Sequence, residues 1–207
     1  MSRNPDERTR QTHHSEPLPW RLGAKAGGVA FGIVYVVMYA VTIASDIDPV
    51  FFDRWGQHNA AAWLAYSAHN VKIAASGAAS SIGSVNFIQS NTDAFPLPTI
   101  LLYAIPAAVL FLAGRYVASH SGTLESSPDR AAKEGATVVA GYLALAVLGA
   151  FVFTGNYSEA TLKPDFVETV VMMGLAYPVV LGAAGGWVWK NGATNRQPRA
   201  RHEGKRP

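Results

Sequence analysis

Ala26–Ser45 reads AGGVAFGIVYVVMYAVTIAS, 20 residues without a charged side chain. A helix rises about 1.5 Å per residue, so such a run crosses the roughly 30 Å hydrocarbon core of a bilayer. Leu97–Gly114, Ala136–Thr154 and Thr169–Trp189 share the property. The expected fold class is all-α, an integral membrane four-helix bundle. With helix ends included, the spans are expected at about 26–45, 97–116, 134–154 and 167–189, within a membrane domain of residues 23–189. Residues 1–22 read as a disordered basic arm and 190–207 as a basic tail, both cytoplasmic.

The charges sort by position. Only 15% of the 207 residues are charged, against about 25% in soluble proteins. Five basic residues precede the first span, from Arg3 to Lys25. Arg115, Arg130 and Lys133 lie between the second and third, and six follow the fourth, from Lys190 to Arg206. Fourteen of the 17 basic residues thus fall on one side, leaving Arg54, Lys72 and Lys163 on the other. The positive-inside rule then places both termini in the cytoplasm of a multi-pass cell-membrane protein. That distribution fits a membrane better than nucleic acid, despite a pI near 9.2. The polar stretch before the first span is too long and too mixed for the start of a signal peptide, so the span is expected to act as an uncleaved anchor. With no cysteine in the chain, disulfides and thiolate chemistry are excluded.

Several local signals refine the bundle. Gly23 and Gly27, Gly28 and Gly32, and Gly182 and Gly186 each stand four apart, the spacing that lets another helix approach closely in lipid. Pro106 and Pro178 are expected to kink the second and fourth spans. Ser127-Pro128-Asp129 offers a cap, a proline in the first turn and an acid for the third helix, and Pro164-Asp165 starts the fourth. Trp20, Trp187 and Trp189 stand where the first and fourth helices meet the headgroups.

The Asp46–Pro96 connection is expected outside. His58–Lys72 looks helical, with His58, Ala65, His69 and Lys72 on one face and Trp63 and Tyr66 among its large rings. That pattern suggests an extracytoplasmic helix lying in the interface, apolar side down. Trp63, Tyr66 and His69 are its candidate functional residues, and His69 is a candidate pH-responsive group near its ordinary pKa of about 6.5. Residues 73–88, rich in Ala, Gly and Ser, read as a loop, a re-entrant segment or a short packed helix. A fifth span there would put the basic tail outside.

Chemistry-bearing patterns are sparse. His58 and His69 are roughly 16 Å apart in one helix and cannot share a metal there. No nucleophile motif, phosphate loop, dinucleotide fingerprint or metalloprotease string occurs, and no cofactor or metal is expected. No ionisable group is expected within the spans, which argues against small four-helix multidrug exporters and their embedded carboxylate. Asn156-Tyr157-Ser158 is a glycosylation sequon in the short loop expected outside.

Gly23–Thr42, GAKAGGVAFGIVYVVMYAVT, and Trp55–Val71, WGQHNAAAWLAYSAHNV, resemble an uncharacterised family of four-helix membrane proteins from halophilic archaea. Trp63, Tyr66, Ala68 and His69 carry the second resemblance. It implies an integral membrane protein and no established activity, so no catalytic residue follows from it. The expected function is non-enzymatic: an accessory, structural or assembly subunit that partners the bilayer and a second copy or another membrane protein. The alternative is an oligomeric transporter or channel subunit, with a pore lined by Thr42, Tyr103, Tyr142 and Tyr177.

Overall fold

The computed structural model describes residues 17–121 and 127–194. The basic arm before Pro17, with His13 and His14, and the basic residues from Arg196 onward lie outside the described residues. Four helices are long and apolar enough to cross a membrane: Trp20–Ile43, Thr99–Ser121, Pro128–Val152 and Phe166–Gly192. They form an all-α bundle to which a small sheet is added.

Helix α1 is Trp20–Ile43. Its buried residues, Gly23, Gly27, Ala30, Val34, Met38 and Val41, recur every three or four positions and form one stripe. Val29, Ile33 and Val36 are exposed on the opposite side, as lipid-facing residues would be. Short helices α2 (Pro49–Trp55) and α3 (Gln57–Ala68) follow, then strands β1 (Ile73–Gly77) and β2 (Ser84–Val85) and helix α4 (Phe87–Ser90). The second span, α5, is Thr99–Ser121 and stays helical through the buried Pro106.

The third span is made of α6 (Pro128–Ala136) and α7 (Val139–Val152), joined at Thr137–Val138. Ser127 caps α6 as its sequence suggests, with the Arg130 amide donating to the Ser127 hydroxyl. Strands β3 (Gly155–Tyr157) and β4 (Ala160–Pro164) lead to the fourth span. There the Asp165 carboxylate accepts from the Glu168 amide and starts α8 (Phe166–Glu168). A π-helical segment, Thr169–Ala176, separates α8 from α9 (Tyr177–Thr194), and the Tyr177 amide donates to the Met172 carbonyl five residues back. Pro178 accounts for it. It has no N–H to donate and its ring crowds the carbonyl four residues earlier, and a widened turn relieves both. The two prolines therefore differ: one is absorbed, and the other is preceded by a π segment.

The sheet lies at the end where α1 finishes and α5 begins, and the opposite end is the base. Its strand order is β2-β1-β4-β3, all antiparallel. Residues 73–88 are therefore largely a ribbon, not the loop, re-entrant segment or packed helix that their composition suggests. Ile73 pairs with Pro164 and Gly77 with Ala160, so the connection after α3 is stitched to the one after α7. Gly77 has φ +66°, and a Cβ there would strike the Glu159 carbonyl.

Glycine contacts close the base. A side chain on Gly114 of α5 or Gly135 of α6 would collide with the Gly182 backbone of α9, so three helices meet at three glycines. Likewise Gly23 abuts Thr137, Gly27 abuts the Val138 carbonyl, and Gly141 abuts Ala24. At the sheet end the bundle is filled by α3.

Candidate functional site

Past its first two residues helix α3 has no solvent face. Every residue from Asn59 to Ala68 is buried. The helix expected between the first and second spans is present, but it is inserted among the spans instead of lying flat in an interface. Its alanines explain the fit: Ala60, Ala61 and Ala62 are fully buried, and α3 lies closest to α1. Its large rings reach the other way, toward α7.

Trp63 and Tyr66 of α3, and His69 just after it, meet α7 and its C-terminal end in succession. The Trp63 indole donates to the Phe153 carbonyl at 2.9 Å. The Tyr66 hydroxyl donates to the Ala146 carbonyl at 2.6 Å. His69 Nε2 meets the Tyr142 hydroxyl at 2.8 Å. From Phe153 to Tyr142 is eleven residues, so these bonds run about 16 Å along α7. Phe51, Trp55 and Phe87 pack edge-on around Trp63, and Phe51 and Phe87 tilt against each other, making an aromatic collar where α3 enters.

The chemistry of His69 follows from its partners. Nδ1 lies 2.7 Å from the Ala65 carbonyl. A carbonyl can only accept, so Nδ1 carries the proton and Nε2 offers its lone pair to the Tyr142 hydroxyl. Both nitrogens of a neutral ring are thereby satisfied. The Tyr177 ring lies 5.0 Å away, centroid to centroid. Burial disfavours the cation and lowers the pKa to about 4, more than its hydrogen bond to Ala65 restores. The expected response near 6.5 belongs to an exposed imidazole. His58, at the first turn of α3, is exposed, so the polar face drawn through both histidines is split.

The chain turns sharply after His69. Asn70 takes φ 60°, a left-handed conformation that asparagine tolerates better than most residues. Its side-chain amide donates to the Tyr177 hydroxyl at 2.8 Å. Two residues on, the Lys72 amide donates to the Glu168 carboxylate at 2.7 Å and its ammonium pairs with the other oxygen at 3.1 Å. The Ser67 hydroxyl accepts from the Phe87 amide, and Asn86 donates to the Ser67 carbonyl. The insertion is thus held at its collar, along its length and at its tip.

Residues 1–192 match the model of a family of unknown function. The chain belongs to DUF7978. No curated protein and no solved structure matches it. In this DUF7978 member the inserted helix and its partners are the most elaborate constellation among the described residues. Tyr142 and Tyr177, considered in the sequence only as pore-lining hydroxyls, are the groups that the structure brings to His69.

The glycine candidates divide. Gly23, Gly27, Gly182 and Gly186 all lie where a side chain would strike a neighbouring backbone or side chain. A Cβ on Gly28 would meet only Leu145 at 3.7 Å, and one on Gly32 would meet nothing within 4 Å. Gly114, Gly135, Gly141 and Gly185, which the sequence reading does not pick out, also make close backbone contacts.

Charges within the spans also need correction. Glu134 is 2% exposed and Lys190 is 7% exposed, both in helices long enough to cross a membrane. The Arg130 Nε donates to Glu134 at 2.8 Å and the Ser121 hydroxyl at 3.3 Å. Such pairing offsets the cost of burying a carboxylate. Asn156 of the sequon is exposed in β3, where its side-chain oxygen accepts from the Thr161 hydroxyl.

Proposed function

We propose that this protein is a non-enzymatic accessory or assembly subunit of a membrane, with both termini in the cytoplasm and the sheet end outside. The orientation rests on the basic residues. Among those described, Arg21, Lys25, Arg115, Arg130, Lys133 and Lys190 cluster at the base, while Arg54, Lys72 and Lys163 accompany the sheet end. A halophilic archaeal source belongs to the same proposal, and rests on the resemblance of Gly23–Thr42 and Trp55–Val71.

One observation carries the preference for an accessory role over a pore. The four hydroxyls that a pore through the bundle would use are engaged internally. Thr42 donates to the Met38 carbonyl, Tyr103 to Asn86, and Tyr142 to His69, while Tyr177 accepts from Asn70. A conduction path would have to break these bonds and withdraw α3. A fixed bundle with glycine-closed helices is better suited to holding a partner, a second copy or another membrane protein, against its lipid-facing sides.

The test pairs two measurements on the full chain. Purified in mild detergent from its own membranes, it should carry a defined second subunit in native mass spectrometry. Reconstituted in liposomes, it should leave potassium, sodium and proton gradients intact. Protein-dependent dissipation of any of them would favour the channel alternative, and a strictly monomeric particle would remove the assembly role.

A further inference from the structure

At the base, α1 and α5 part on the lipid-facing side and leave a lateral groove of about 490 Å³. Its floor is small and apolar, with Ala26, Ala30 and Ala113, and its rims are Val29, Ile33 and Leu112, all three exposed. Two residues break the apolar lining, Lys25 and Tyr116. Lys25 is exposed and makes no hydrogen bond or ion pair among the described residues. Arg21 stands one turn before it on α1 and is also exposed. The Tyr116 ring lies against His120 in a tilted contact, with centroids 4.2 Å apart.

We propose that this groove binds one anionic phospholipid, an acyl chain along the alanine floor and the phosphate at Lys25. The chemistry is complementary at both ends. A slot lined by methyl groups takes a methylene chain, and the exposed ammonium at its mouth takes the phosphate. A lysine in this position also draws its own aliphatic stem along the groove while keeping its charge at headgroup level. A transmembrane helix from a partner would bury Lys25 without supplying it an acid, unless that helix carried a carboxylate at the matching depth. The proposal is independent of which end of the bundle faces the cytoplasm.

Native mass spectrometry of the full chain in detergent, titrated with phosphatidylglycerol or phosphatidylcholine, tests it. The wild type should retain one phosphatidylglycerol in preference to phosphatidylcholine. Lys25→Gln should lower that preference about fivefold, one basic residue's worth of attraction to an anionic headgroup. Lys133→Gln removes a positive charge from the same end but away from the groove, and should leave the preference unchanged. Ala26→Leu should abolish retention of either lipid by filling the floor. Equal binding of the two lipids by the wild type would show that the groove recognises no anionic headgroup, and equal losses from Lys25→Gln and Lys133→Gln would show attraction to a charged end and no site; either overturns the proposal. If Ala26→Leu fails to fold, the comparison of the two lysine variants still decides.

Discussion

At the scale of single residues, His69 and Tyr142 form the linkage whose disruption should cost most for the fewest atoms. Tyr142→Phe keeps the ring and removes the donor, leaving the buried Nε2 without a partner. An unsatisfied buried polar atom costs about 1–3 kcal/mol, and thermal unfolding in detergent should show that loss. Adding His69→Leu to Tyr142→Phe should cost less than the two single losses together, because each change alone leaves its buried partner unpaired. Simple additivity would mean that the two rings do not depend on each other. The same histidine sets a pH dependence. Its folded pKa, about 4, lies below its ordinary 6.5, so the unfolded chain takes up a proton first as the solution is acidified. Its contribution to stability is complete above about pH 6.5 and is lost progressively toward pH 4. Melting temperature should fall through that window in the wild type and fall less in His69→Leu. A wild-type curve that is flat from pH 7 to pH 4 would mean that His69 is not buried as a neutral ring.

Among the elements, glycine contacts and the inserted helix make opposite demands on the side chains. Gly182→Leu would place a branched side chain where a Cβ already lies 2.6 Å from the Gly135 carbonyl. Overpacking of that kind costs roughly 1–3 kcal/mol, and more where only backbone can yield. Gly32→Leu, facing open space, should melt like the wild type. If the two variants melt alike, the three-glycine contact of α5, α6 and α9 is wrong. The contrast also shows what the sequence could disclose. Four-residue spacing nominates glycines but does not say which way they face, so Gly28 and Gly32 look as good as Gly23 and Gly27. The span lengths and the helix starts at Ser127 and Asp165 are legible because their causes are local. The setting of α3 is not. His58, Ala65, His69 and Lys72 read as one face along the helix, and in the fold His69 is instead buried and hydrogen-bonded to a residue 73 positions away. The sheet was hidden for a related reason. Strands of two to five residues, rich in Ala, Ser and Gly, carry little β preference of their own, and β1 is held by pairing with β4.

For the whole molecule, the question is which end meets which solvent. The bundle has two chemically distinct ends: a base where helices close on glycines beside most of the described basic residues, and a sheet end stitched by β1–β4 pairing. Fourteen of the 17 basic residues in the chain belong to the base and the termini that continue from it. On the proposed orientation, retention of Lys and Arg on the cytoplasmic side during insertion leaves the sheet end external. The absence of cysteine makes a direct test clean. Single cysteines at Ser2, Ser84 and Ser158 can be challenged with a membrane-impermeant thiol reagent on intact cells. Ser84 in β2 and Ser158 in the β3–β4 turn are both exposed and should react, while Ser2→Cys should react only after the cells are permeabilised. Reaction at Ser2 with Ser84 and Ser158 protected would invert the molecule. The same result would move the aromatic collar and α3 to the cytoplasmic side, and would place a base rich in basic residues where the positive-inside rule does not hold it.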